Sequence, residues 1–284
     1  MRKRVLTISG IAIFFFLFYF LKLIFSGNII LPQYFNLGPV TIHYYGIIMA
    51  AAVAAGFYFA LNRAPKYGVN LKTAEDLIFW IIIGGFIGAR LYHVLSAWNF
   101  YSSHPADILK VWNGGLAIYG AVFGGLLTLW VHKRLSTFHG SFLTLLDWLT
   151  PSLILGQIIG RFGNLFNYEA FGYPTSLPWK MFVPAQFRPW EYLNFNFFHP
   201  FFLYEVLGNI VILFFLLKIA KFKAPGRVFI SYLLLYNTLR FALEFLRIDS
   251  TFVHGFRLNA LMSLSLVLLA VVTLFYLNRH AQKP

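Results

Sequence analysis

The chain has 284 residues, of which 59% are hydrophobic and 11% charged, with a formal net charge of +14. A mean hydropathy of +0.70 describes a polypeptide whose solvent is lipid, so a soluble globule is excluded and a polytopic membrane protein is expected. The cations collect at segment ends and form no basic face, which argues against nucleic acid as a partner, and the absence of cysteine removes disulfides, Fe–S clusters and a thiol nucleophile.

Apolar runs long enough to cross about 30 Å of hydrocarbon occur at 5–25, 43–62, 77–97, 115–131, 148–166, 200–217, 228–246 and 256–277. The first follows Met1-Arg2-Lys3-Arg4, as a secretory signal would. It runs to about 20 apolar residues, and Phe25-Ser26-Gly27-Asn28 lacks a small-x-small cleavage site, so residues 1–37 read as an uncleaved anchor and linker. If eight spans alternate, Arg2, Lys3, Arg4, Arg63, Lys66, Lys72, Lys133, Arg134, Lys218, Lys221, Lys223, Arg227, Arg279 and Lys283 share one side. The other side keeps Lys22, Lys110, Lys180, Arg188, Arg247 and Arg257. The positive-inside rule then puts both termini in the cytoplasm.

Polar groups inside oily segments carry the chemistry. An arginine near mid-bilayer costs about 2.5 to 3.5 kcal/mol, and Arg90, Arg161 and Arg240 together would cost about 8 to 10 kcal/mol unpartnered, so they are expected to face a shared polar interior. Arg90 closes the glycine-rich run Gly84-Gly85-Phe86-Ile87-Gly88-Ala89; snorkelling to the interface is its simplest reading, and the glycines read as close helix packing. The fifth span ends in Gly160-Arg161-Phe162-Gly163-Asn164-Leu165-Phe166-Asn167-Tyr168-Glu169-Ala170-Phe171-Gly172, which sets an arginine, two asparagines and a carboxylate at the end of an apolar segment. Residues 167–199, with Pro174, Pro178, Pro184, Pro189, Trp179 and Trp190, form the longest loop and read as an interfacial head.

The sixth span opens with His199-Pro200 and carries Glu205, with Asn209 one turn on; Glu205 either balances an arginine or handles a proton. In the seventh, Asn237, Arg240, Glu244 and Arg247 recur at i, i+3, i+7 and i+10, which predicts one inward helical stripe. An Arg240–Glu244 pair that merely neutralises itself is the plainest account of it, but two arginines for one carboxylate leave positive charge over, and that favours an anionic ligand. The eight histidines show no HExxH spacing and no GxSxG elbow is present, so metal and serine-hydrolase chemistry are disfavoured. Phosphate fits best, since guanidinium binds it bidentately and a phospholipid reaches such a site laterally from the bilayer. A transporter or flippase for an anionic lipid would use the same arginines, but the two halves show no internal repeat of the kind many transporter folds carry.

The Gly160–Gly172 stretch resembles the signature of the prolipoprotein diacylglyceryl transferase family. Supporting blocks come in that family's order: His43-Tyr44-Tyr45-Gly46, the glycine-rich run to Arg90, Trp112-Asn113-Gly114-Gly115 through Tyr119-Gly120, His199-Pro200 through Tyr204-Glu205, and Arg240 through Glu244 to Arg247. The resemblance covers about 38–277. It implies an all-α membrane transferase domain over 38–284, with a seven-span core and a small extracytoplasmic head at 167–199, to which the hydrophobic segment within 1–37 adds one extra N-terminal transmembrane helix. It also implies a bacterial inner-membrane enzyme, active toward the outer leaflet, that moves the diacylglyceryl group of phosphatidylglycerol to the lipobox cysteine of a preprolipoprotein and releases glycerol phosphate, without cofactor or metal. The family's roles fall on Arg161 and Arg240 as phosphate and headgroup binders, with Asn164, Glu169, Gly172, Tyr45 and Glu244 as further important positions. His43, Arg247 and Glu205 are added as substrate-site candidates. Departures are Leu165 for a common phenylalanine, Tyr119 where some members carry histidine, and the segment 1–37. Activation of the substrate thiol is accordingly left among Tyr119, Tyr45, His43, Glu205 and the field of the two arginines.

Overall fold

A computed structural model of the chain describes residues 18–135, 140–222 and 224–281. Most of the first predicted span, with Arg2, Lys3 and Arg4, lies outside the described residues, as do His139, Lys223 and Lys283. Helix α1 is described over 18–25 and stops because Gly27 takes φ 81°. Asn28 N–H then reaches back to Leu23 O and Gly27 N–H to Ile24 O, both at 3.0 Å, which satisfies the carbonyls a helix end leaves open.

Among the described residues eight further helices follow: α2 (Tyr44–Arg63), α3 (Leu71–Ser96), α4 (Trp98–Ser103), α5 (Ile118–Leu135), α6 (Phe142–Asn167), α7 (Phe201–Ile219), α8 (Arg227–Glu244) and α9 (Leu258–Ala281). Five stretches among the described residues, Tyr44–Tyr67, Leu71–Ser96, Phe142–Asn167, Phe201–Phe222 and Leu258–Leu277, are long and apolar enough to cross a membrane. The two 18-residue helices α5 and α8 are more polar: α5 ends in His132, Lys133 and Arg134, and α8 carries Arg227, Arg240 and Glu244. The fold is not purely helical. Three antiparallel ribbons pair β1 (Tyr34–Leu37) with β2 (Val40–His43), β3 (Met181–Phe182) with β4 (Phe197–Phe198), and β5 (Phe252–Val253) with β6 (Phe256–Arg257).

The chain forms two compact units, one of Met1–Gly56 and Leu153–Pro284, the other of Phe57–Ser152. In the second, α3 and α5 meet through backbone. A Cβ on Gly88 would overlap Gly120 O, one on Gly120 would overlap Gly88 O, and one on Gly124 would overlap Gly84 O, so only glycine lets these helices approach so closely. Trp148, fully buried, donates its indole N–H to Ala60 O at 2.8 Å.

In the first unit, residues 167–199 are not a loop. Tyr168, Phe171, Met181, Val183 and Phe198 are buried with Leu165 and Phe202 in one apolar cluster, and Thr175 N–H bonds Phe197 O at 3.1 Å. The head therefore has its own core, to which the N-terminal residues Ile24 and Leu31 also belong.

Candidate functional site

The glycines of the signature bring α6 against α2 within the first unit. A Cβ at Gly160 would lie 3.3 Å from Met49 Sδ, and one at Gly163 would lie 2.7 Å from Tyr45 Cδ2. Tyr45 is thereby seated on the signature helix two residues from Arg161. Small side chains at helical spacing make this approach possible.

Arg161 then turns to α7. Its Nη2 donates to Glu205 Oε1 at 2.8 Å, and Glu205 is 1% exposed. A carboxylate so buried is held only by a close, hydrogen-bonded cation, so Glu205 is Arg161's counter-ion. One turn along α7, Asn209 is wholly buried, and its side-chain nitrogen and oxygen, like Glu205 Oε2, have no hydrogen-bond partner among the described residues.

The second pair is Arg240 Nη2 with Glu244 Oε2 at 2.8 Å. That approach lies off the hydrogen-bond direction, so both Glu244 Oε2 and Arg240 Nη1 remain without a directed partner among the described residues. The Glu244 carboxylate is fully buried, and its Oε1 accepts from Asn259 Nδ2 at 3.1 Å. The Phe201 ring links this pair to the next cation: the guanidinium carbons of Arg240 and Arg247 lie 5.7 and 5.3 Å from its centroid, within cation–π range.

Arg247 corrects the periodicity reading. Helix α8 ends at Glu244, so Arg247 is not on its stripe; it forms an isolated β-bridge with Gly172, and Tyr173 N–H bonds Leu246 O at 3.0 Å. This is why position 172 has no side chain, because a Cβ there would sit 2.6 Å from Leu246 O and 2.9 Å from His199 Cβ. The Arg247 guanidinium grips Asp249 through Nε at 2.7 Å and Nη2 at 2.5 Å. Burial opposes ionisation of Asp249, but that fork holds its carboxyl below the usual carboxylate range. Asn237 is likewise turned aside, donating to Leu233 O one turn back.

Glu169 sits in a tight turn just past α6. Its Oε1 accepts from Asn164 Nδ2 at 3.0 Å and Asn167 Nδ2 at 3.3 Å, and its N–H donates to Asn164 O at 3.1 Å. Tyr168 and Ala170 on either side have φ of 52° and 53°, a left-handed backbone that L side chains disfavour. Nearby, Trp179 Nε1 donates to Tyr204 Oη at 2.8 Å, and Tyr204 Oη lies 2.9 Å from His199 Nδ1. Burial pulls the His199 imidazole below its ordinary value.

Of the remaining candidates, His43 ends β2 in an exposed position, its ring 5.7 Å from that of Tyr34. Tyr119 belongs to the second unit, on α5, with its ring 6.2 Å from that of Tyr92. Arg90 does not snorkel: it is 8% exposed and donates to four carbonyls of its own unit, Asp107 at 2.6 Å, Ile108 at 2.9 Å, Gly114 at 2.7 Å and Gly115 at 3.0 Å. With four of its five N–H donors on carbonyls it staples the 107–115 loop, and the anion-binding reading rests on Arg161, Arg240 and Arg247. Arg257 was not singled out by the sequence. It bonds Glu244 O at 2.9 Å, Arg247 O at 3.2 Å, Ser250 Oγ at 2.6 Å and Tyr173 Oη at 3.2 Å, closing the end of α8; an arginine just outside a helix gives no sequence signal for that role.

The arrangement is a cationic site in which Arg161 and Arg240 are each held by a buried carboxylate, beside a carboxylate-bearing turn. Comparison with known proteins matches residues 32–276 to the family model "Prolipoprotein diacylglyceryl transferase". Relatives named phosphatidylglycerol–prolipoprotein diacylglyceryl transferase include one from Thermotoga petrophila, 42% identical over 99% of this chain and 98% of its own length. Another, from Thermotoga maritima, is 43% identical over 98% and 96%, and one from Acaryochloris marina is 41% identical over 87% and 92%.

Proposed function

Because this chain belongs to the prolipoprotein diacylglyceryl transferase family, we infer that it transfers the diacylglyceryl group of phosphatidylglycerol to the lipobox cysteine thiol of a preprolipoprotein, the first step of lipoprotein maturation. The sulfur displaces the headgroup phosphate at the glyceryl carbon: a C–S bond forms, the C–O bond breaks with its electron pair on the leaving glycerol phosphate, and the thiol proton ends on that phosphate, passed directly or through a protein base. The chain has no cysteine, so the nucleophile belongs to the substrate.

The observation that carries this reading is the pair of arginines held by buried carboxylates in one unit, Arg161 on Glu205 and Arg240 on Glu244, with Arg240 Nη1 left without a partner among the described residues. Guanidinium groups fixed in advance stabilise charge that develops on a leaving phosphate without reorganising during the step. In this reading Arg161 and Arg240 bind the phosphate, Arg247 adds positive field, and Glu205 and Glu244 aim the cations. Asn164, Glu169, Gly172, Tyr45 and His43 shape the surroundings of the headgroup. The same field lowers the cost of forming a thiolate from a thiol of pKa about 8.5. Tyr119 is the separate candidate for proton handling: Tyr119→Phe is expected to cost about 10²-fold in kcat if its hydroxyl moves a proton, and a change of only a few-fold would remove it from the mechanism.

The reading places the enzyme in the bacterial inner membrane with eight spans, the first formed within residues 1–37, the transferase domain over 38–284, both termini cytoplasmic and the head 167–199 at the outer leaflet. The test is incubation of detergent-purified protein with phosphatidylglycerol and a lipobox peptide carrying a free cysteine, followed by mass spectrometry. A diacylglyceryl thioether with released glycerol phosphate, lost in Arg240→Ala, is expected; lipid moved across a vesicle without bond cleavage would replace this reading with transport.

A further inference from the structure

The family model begins at residue 32, yet the residues just before it are built into the signature. Leu31, 7% exposed, donates its backbone N–H to Tyr168 Oη at 2.6 Å. Gln33 Nε2 donates to Asn167 O at 3.2 Å. Ile24 is buried in the same cluster as Tyr168, Phe25 meets Phe202 edge-to-face at 6.3 Å, and Gly27 lies so close under the Phe182 ring that a Cβ would stand 2.7 Å from it. Tyr168 and Asn167 are the two residues before Glu169, and the Tyr168 backbone is left-handed.

A left-handed non-glycine residue persists only where its surroundings over-determine it. Tyr168 is fixed from two sides: its ring stacks on Phe187 of the head at 4.8 Å, and its hydroxyl is held by Leu31. We propose that residues 23–33 are a positioning element, which clamps the Asn167–Tyr168 turn and so orients Glu169 towards its asparagine partners. Leu31 acts through its backbone N–H and Gln33 through its amide. Neither touches the phosphate-binding arginines. The proposal rests on Glu169 belonging to the phosphatidylglycerol site.

The full-length protein in detergent carries the test, with Tyr168→Phe, which removes the acceptor, and Gln33→Met, which removes the second donor from a half-buried position. Ser26→Ala, which deletes only a bond within the helix end, serves as the control. Amide exchange followed by mass spectrometry should quicken across 164–172 by about five- to tenfold in the two variants, the loss of one net hydrogen bond, and stay unchanged in the control. KM for phosphatidylglycerol should rise by about the same factor with kcat within about twofold and the unfolding temperature of Gln33→Met lowered by no more than about 4 °C. Unchanged exchange across 164–172 would overturn the clamp. Faster exchange with an unaltered KM would show a merely structural tie and overturn the positioning role. Absence of product from the unmutated protein would count against the transferase reading, while the exchange arm would still decide the clamp.

Discussion

A carboxylate without exposed surface is stable as an anion only while its cation stays, and the two members of such a pair are therefore unequal under mutation. Arg161→Ala would leave Glu205, 1% exposed, as an uncompensated buried charge, which costs about 3 to 5 kcal/mol. Thermal unfolding in detergent should show that loss in the single variant. Adding Glu205→Gln should restore most of the stability and none of the transfer, since the phosphate contact is still missing. A single variant as stable as the parent would mean that Arg240 and Arg247 suffice to hold Glu205. His199 gives the pH counterpart. Its folded pKa is lowered by burial, so the unfolded chain binds the extra proton first. Its contribution is fully present above the ordinary imidazole value of about 6.5 and is lost as the pH falls through the lower folded value. The unfolding temperature should drop below about pH 6.5, and the drop should shrink in His199→Gln; a parallel fall in both proteins would place the titration elsewhere. The arginines themselves were legible from residue type alone, because lipid makes an unpartnered guanidinium expensive. Of their partners, Glu244 was legible from its i+4 spacing to Arg240, whereas Glu205 lies 44 positions from Arg161, and no local spacing announces a contact between those helices.

At the level of elements, hydropathy located the helices well, because crossing hydrocarbon demands long apolar runs whatever their neighbours are. It missed α6 at its start, where the helix begins at Phe142 and not at 148, because Asp147 broke the apolar run although it is buried. It placed the head at 167–199 but took it for a loop, for a different reason. The two-residue strands β3 and β4 are too short for any period, and the head's core is assembled from residues far apart in sequence. Glycine spacing, in contrast, foretold close packing by α3; the structure supplies the partner, α5, and the energetics of the contact are testable. Gly88→Ala and Gly120→Ala each drive a methyl into the facing backbone, which has no rotamer to yield, and each should cost about 1 to 3 kcal/mol in thermal unfolding. Gly125→Ala meets only Ile81 Cγ2 at 3.7 Å and should be neutral. Equal tolerance at 88 and 125 would mean that the two helices are not in backbone contact.

For the whole molecule the open quantity is orientation, and charge is the physical handle on it. Cations that must cross the membrane during insertion are disfavoured, and those retained outside are expected to have employment in the fold. Arg188 donates to Val183 O at 2.7 Å and Leu193 O at 3.1 Å, Lys110 pairs with Asp107, Arg247 grips Asp249, and Arg257 closes α8. Each of these cations on the proposed outer side is tied into local structure. On the proposed inner side, Arg63, Lys133, Arg134 and Lys218 stand in the last turns of α2, α5 and α7, where positive charge also suits the helix dipole. A protein without cysteine can be labelled one site at a time with no background to remove. Trp190→Cys and His254→Cys should react with a membrane-impermeant maleimide on intact spheroplasts, whereas Lys66→Cys and Lys221→Cys should react only after lysis. Labelling of position 66 from outside would invert the topology, put the Glu169 turn and both arginines on the cytoplasmic side, and require the lipobox cysteine to be modified before its segment crosses.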